Sequence, residues 1–185
     1  VNSHLVSNPT NIRYLTGFVG VAPEEREAFA LLTRSKAYLF VTPLYKEAAR
    51  KLSPAKRDLA SRDNILIKVI NISREHPIAK ELAMLAKKLS IKKLGFEETD
   101  LTVAEFQKLK QALRGITLVP TRNRIEKLRM IKRPDEIAFI KSACKLTDQC
   151  FDFILKKLKP GITESEIAWE IESFFRSRGA GAAFS

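Results

Sequence analysis

Strand-like and helix-like patterns alternate through residues 1–122, and then the strand-like ones stop. That change of pattern constrains the fold more than any single motif. Residues 28–33 and 37–41 are apolar, aromatic-containing runs separated by Arg34-Ser35-Lys36, which reads as a hairpin with a short polar loop. Residues 65–70 are β-branched, 93–96 and 116–119 are shorter runs, and a first strand is expected at 5–7 with His4 beside a sheet edge. Helical patterns occupy 43–52, 77–89 and 102–113. In the second of these Ile78, Leu82, Leu85, Ala86 and Leu89 form one apolar stripe, suited to lying on a sheet. The third opens with Thr102-x-x-Glu105, a capping box, and ends at Gly115. The fold class expected is α/β, a mixed sheet flanked by helices. The first strand starts so near residue 1 that a preceding helix is expected to have been trimmed away.

Residues 123–185 read as a second region with helices and no convincing strand. Pro134 suits a first helical turn and Asp135-Glu136 complement its dipole, so one helix is expected from there to Lys159, before Pro160-Gly161. Its polar residues fall within about 120° of arc and an arc of roughly 200° is apolar, which calls for cover on more than one side. Thr163-x-x-Glu166 is a second capping box, opening a helix with Ile167, Ala168, Ile171, Phe174 and Phe175 on one face. No sheet follows on which these faces could rest, so the second domain looks unfinished. It is expected either to pack on the first or to belong to a longer chain.

The chain has 33 basic and 21 acidic residues, a net charge of +12, which raises nucleic acid as a partner. The basic residues come as scattered pairs, Arg50-Lys51, Lys87-Lys88, Lys92-Lys93 and Lys156-Lys157, without a basic tail or an aromatic-interleaved stripe. Dispersion favours a solvated basic surface, and nucleic acid is not the expected partner. No stretch is long and apolar enough for a membrane span, and no export signal is visible. Cys144 and Cys150 lie about 240° apart on one helix and cannot bridge, which fits a reducing, cytoplasmic setting.

A search for chemistry finds no catalytic constellation. The two histidines, His4 and His76, are far apart in sequence, and no Cys-x-x-Cys or His-Glu-x-x-His occurs. Glu97-Glu98-x-Asp100 could suggest an acidic metal cluster, but acidic residues are expected just before the helix at Thr102. Gly179-x-Gly181 follows a helix rather than a strand and lacks a third glycine, so it is no phosphate loop. Ser3, Ser7 and Cys144 have no neighbouring base, and Trp169 reads as partly buried helix packing.

Four segments in order nevertheless carry a resemblance. They are Asn8-Pro-Thr-Asn-Ile-Arg-Tyr-Leu-Thr-Gly-Phe18, Ile125-Glu-Lys-Leu-Arg-Met-Ile-Lys132 with Asp135-Glu-Ile-Ala-Phe-Ile-Lys141, Lys159-Pro-Gly-Ile-Thr-Glu-Ser-Glu-Ile167, and Gly179-Ala-Gly-Ala-Ala-Phe-Ser185. Together they resemble the Xaa-Pro peptidase family of prolidase, aminopeptidase P and their creatinase relatives. The resemblance implies a creatinase-type N-terminal domain over 1–122, then a linker and the opening helices of a truncated pita-bread (α+β) peptidase domain over 123–185. It implies a cytoplasmic, homodimeric parent enzyme that hydrolyses peptide bonds to proline with two divalent ions, manganese, cobalt or zinc. Their ligands, two Asp, one His and two Glu, would lie downstream of residue 185, so the resemblance assigns this chain no catalytic residue and no metal ligand and implies that it is inactive alone. Phe184 matches a phenylalanine near the substrate's proline, and the loop Phe18, Val19, Gly20 to Pro23 matches one approaching the active site of the dimer mate. The alternatives are a non-catalytic relative that binds nucleic acid or a ribosome-associated partner through its basic surface, and a purely structural module that sets dimer geometry.

Overall fold

The computed structural model describes residues 2–20, 26–52 and 66–181. The chain separates into two compact units, Val1–Met130 and Ile131–Ser185. The first is a six-stranded mixed sheet with helices on both faces. Its strands are β1 (His4–Val6), β2 (Ala28–Leu32), β3 (Lys36–Val41), β4 (Leu66–Asn71), β5 (Lys93–Glu97) and β6 (Thr117–Thr121), in the order β4-β3-β2-β1-β5-β6. All run the same way except β2, which pairs antiparallel with both β1 and β3. The hairpin is tied at its turn by Thr33, whose amide and hydroxyl donate to the Lys36 carbonyl at 2.9 and 2.8 Å. Pro120 falls in β6, an edge strand, where a missing N–H is tolerated.

Successive side chains on a strand face opposite ways, and here both faces are apolar. Leu5, Phe29, Leu31, Tyr38, Phe40, Leu94 and Phe96 line one face, against Leu82, Leu85 and Ala86 of α3 (Ile78–Lys88) and Leu109 of α4 (Val103–Ala112). Val6, Ala28, Ala30, Leu39 and Val41 line the other, against Ile12 and Leu15 of α1 (Pro9–Thr16) and Ala49 of α2 (Lys46–Arg50), which follows a 3-10 turn at Pro43–Tyr45. Ile125 of α5 (Arg124–Met130) joins the same cluster. The α/β class and mixed sheet expected from the sequence are what the structure shows. One expectation is corrected: β1 sits inside the sheet between β2 and β5, so His4 is a buried interior residue rather than an edge residue.

The second unit contains α6 (Pro134–Leu155) and α7 (Glu164–Ser177) and no strand among its described residues. Helix α6 ends one turn before Lys159, at Leu155. Thr163 and Glu166 form the expected capping box, with the Thr163 amide and hydroxyl each donating to Glu166 Oε2 at 2.8 Å. A small cluster of Cys150, Ile154 and Phe174, flanked by Leu146, Phe153, Ile167, Ile171 and Phe175, holds the two helices together. Much of the remaining apolar surface is open: Phe139 is 75% exposed, Phe151 64% and Leu155 51%. Trp169, expected to be partly buried, is 69% exposed. Among the described residues no helix is long and apolar enough to cross a membrane.

Candidate functional site

The polar groups of the first unit converge where β1 ends and α1 begins. Asn8 caps α1, its side-chain oxygen accepting from the Asn11 amide at 3.1 Å, with Pro9 in the first helical position. The turn is pinned from β5 by Glu97, a buried carboxylate that accepts from the amides of Ser7 and Asn8 at 2.7 and 2.8 Å and from Asn11 Nδ2 at 2.6 Å. Asn11 Nδ2 donates its second hydrogen to Glu126 Oε1 at 2.6 Å, and Asn11 Oδ1 accepts from Arg129 Nη1 at 3.0 Å. Asn11 therefore joins α1, β5 and α5 in one network. The acidic run at 97–100 was expected to serve the start of α4. Glu97 instead serves the start of α1, a neighbour created by the parallel β1–β5 pairing.

Two clamps hold the described residues on either side of positions 21–25. At the first root Gly17 adopts the left-handed conformation that ends α1 (φ 66°), and Thr16 Oγ1 accepts from the Phe18 amide at 3.1 Å. Phe18 is 5% exposed and meets Tyr45 edge to face, 5.5 Å between ring centres. At the second root the Tyr45 hydroxyl donates to Glu27, so Tyr45 touches both roots. A Cβ placed on Gly20 would overlap the Glu27 carboxylate, which makes Gly20 a close-approach position rather than a left-handed turn. Val19 between them is 47% exposed. Arg26 anchors the second root further, donating through Nη2 to the Asp100 carbonyl and carboxylate at 2.6 Å each, and through Nη1 to Glu105. Burial disfavours the charge on Glu105, but its bonds from Arg26 and Thr102 outweigh this and hold its carboxyl below the usual range.

His4 is the outlying titratable group. It is buried, its Nδ1 has no hydrogen-bond partner, and burial, helped by the charge of Arg124, lowers its pKa to about 4. The hydroxyl facing its ring is Thr121 Oγ1, 3.5 Å from Nε2, and it donates to the Phe96 carbonyl at 2.8 Å, while the Ser7 hydroxyl is committed to Glu97. Among the described residues no group of three or more His, Cys, Asp or Glu could hold a metal ion. These residues do not fit a metal centre, and no chemical step runs through one here. What the geometry provides is two firmly held roots, at Gly17–Phe18 and at Arg26–Glu27, with Val19 exposed beside the first. Phe18, Val19 and Gly20 are consecutive, with Phe18 buried and Val19 exposed; Phe184 and residues 21–23 lie outside the described residues. Asn11, Glu97, Tyr45 and Arg26 were not singled out as site residues from sequence. The only local signal was the Asn8-Pro9 cap, since every other partnership spans distant parts of the chain.

Known proteins resemble this chain in sequence and in fold. The family model "Creatinase/Prolidase N-terminal domain" matches residues 1–131, and "Metallopeptidase family M24" matches residues 138–185. The uncharacterized peptidase YqhT of Bacillus subtilis (strain 168) is 31% identical over 99% of this chain and 47% of its own length. An Xaa-Pro dipeptidase from Bacillus anthracis superposes with a TM-score of 0.75 at 29% identity, covering 96% of this chain and 44% of that one. An X-Pro aminopeptidase from Thermotoga maritima MSB8 shares the fold, with a TM-score of 0.76 at 20% identity over 100% of this chain and 49% of that one. The chain spans about half the length of the curated relatives it matches. Over its first 131 residues, this chain belongs to the creatinase/prolidase N-terminal domain family.

Proposed function

We propose that this chain is the non-catalytic front of a metal-dependent Xaa-Pro peptidase that cleaves peptide bonds to proline. The observation carrying this reading is the agreement with the Xaa-Pro dipeptidase of Bacillus anthracis over nearly the whole chain, supported by the M24 match that begins in α6. In this reading two divalent ions, manganese, cobalt or zinc, are bound by residues this chain does not carry, and the 185-residue chain alone hydrolyses nothing. The enzyme works in the cytoplasm as a homodimer. Its Phe18–Gly20 segment narrows access to the proline-binding pocket, and Phe184 lies against the substrate's proline. Proline's amide nitrogen carries no hydrogen, so recognition of the ring itself rests on shape and apolar contact, which a firmly held Phe18–Gly20 segment favours.

The test is hydrolysis of Ala-Pro and Ala-Pro-Pro by the 185-residue chain and by the full gene product, each with manganese, cobalt or zinc. The full product should cleave at least one peptide and the 185-residue chain neither. Cleavage by the short chain, or none by the full product with any of the three ions, would overturn the reading.

A further inference from the structure

Two of the basic pairs that look scattered in sequence, Lys87-Lys88 and Lys92-Lys93, are brought to one place by the topology. Five of the six strands run the same way, so the helix ends and turns leading into them meet at one end of the sheet. That end carries Arg34 and Lys36 at the β2–β3 turn, Lys87 and Lys88 closing α3, Lys92 and Lys93 opening β5, with Lys110 and Arg114 at the end of α4. All of these are exposed. Lys36 and Lys93 begin strands three positions apart in the sheet, about 14 Å at the usual strand spacing.

Every acidic residue described in the first unit lies toward the opposite end. Glu47 follows β3, Glu75 and Glu81 lie between β4 and the first turn of α3, and Glu97, Glu98 and Asp100 close β5. Glu27 precedes β2, which runs the other way, and Glu105 and Glu126 lie in the first turns of α4 and α5. The acidic end also holds basic residues, such as Arg26 before β2 and Arg122 after β6, so it is mixed. The other end is basic without acidic relief among the described residues. Compensation of helix dipoles explains Lys87, Lys88 and Lys110. It does not explain Arg34, Lys36, Lys92 and Lys93, which sit on a turn and on strands.

We infer that this end of the sheet is a docking surface for the phosphate backbone of duplex nucleic acid, bound without base readout. Its turns and strand starts contribute no exposed large apolar side chain among the described residues, and Met84, one turn before Lys88 on α3, is a single one, too little to anchor in a bilayer. They also present no exposed aromatic residue on which unpaired bases could stack. What remains is a row of cations, mostly lysines, suited to evenly spaced phosphates. This inference is independent of the peptidase reading.

The test is fluorescence anisotropy of the 185-residue chain with a labelled 20-base-pair duplex. Four reversals at the basic end, Lys87→Glu, Lys88→Glu, Lys92→Glu and Lys93→Glu, are compared with four at the mixed end, Arg74→Glu, Lys80→Glu, Arg122→Glu and Lys127→Glu. Both sets change the net charge equally. At about 50 mM salt the first should weaken binding about 30-fold or more and the second less than about threefold, with a wild-type log–log salt slope of about −4. The milder Lys→Gln set at the same four basic positions, its fold checked by circular dichroism, should still lose about tenfold. Absent binding by the wild type, equal losses in the two reversal sets, or equally tight, lysine-dependent binding to phosphatidylserine vesicles would overturn the inference.

Discussion

The two units apply the same local rules and end in different states. Both have helices opened by capping boxes, at Thr102 in the first and Thr163 in the second, and both have helices with broad apolar faces. In the first unit those faces rest on a sheet, and Leu82 and Ala86 of α3 have no solvent exposure. In the second unit α6 buries only Cys150 and Ile154 and leaves Phe139, Phe151 and Leu155 open. Capping and periodicity suffice to specify a helix, but burial of its apolar face supplies most of its stability in a protein. The first unit has that burial and the second largely lacks it.

The contrast breaks most readily by truncating one aromatic in each unit. Phe40→Ala removes a ring with no exposure from the centre of the sheet and should cost about 3–5 kcal/mol, read from urea unfolding. Phe151→Ala on the open face of α6 should stay within about 0.5 kcal/mol of wild type. Comparable losses at the two positions would mean that the α6 face is covered.

The next effect concerns the polar interior of the first unit. His4 titrates near 4 when folded against an ordinary 6.5, so between those values the unfolded chain binds the proton that the folded chain refuses. Stability is full above about pH 6.5 and falls as pH drops toward 4, by about 3 kcal/mol in all. Urea midpoints at pH 7.5 and 4.5 should separate by less in His4→Gln than in wild type. An unchanged separation would show that His4 is accessible to protons in the folded state. Smaller still is the effect of crowding beside it. A Cβ at Gly95 would lie 2.5 Å from His4 Nδ1, so Gly95→Ala should cost about 1–3 kcal/mol, and a neutral result would show that the ring has room to move.

Local signals made much of this legible in advance. The β2–β3 hairpin could be read because its two strands and polar turn are contiguous, and the caps at Thr102 and Thr163 because they need only four residues each. What escaped depends on pairing across the chain. Three residues of β1 carry no sign of which neighbours they will have, so His4 was placed at an edge and the reach of Glu97 to the start of α1 was invisible. Helix α5 is short and buries only Ile125, too little for a periodic pattern to register. Trp169 was given a packing role that its helix face does not provide. The candidate loop at Phe18–Gly20 was singled out by resemblance. Its clamps at Tyr45 and Arg26 emerge only once β2, α4 and the turn after β3 are assembled.

Amide hydrogen exchange, resolved by segment on the 185-residue chain, tests the contrast between the units most directly. The account predicts that amides of α3 exchange only through global unfolding of the first unit, while those of α6 exchange at least about 100-fold faster. Equal protection of α3 and α6 would contradict it, because α6 would then have to be as fully supported as the helices on the sheet.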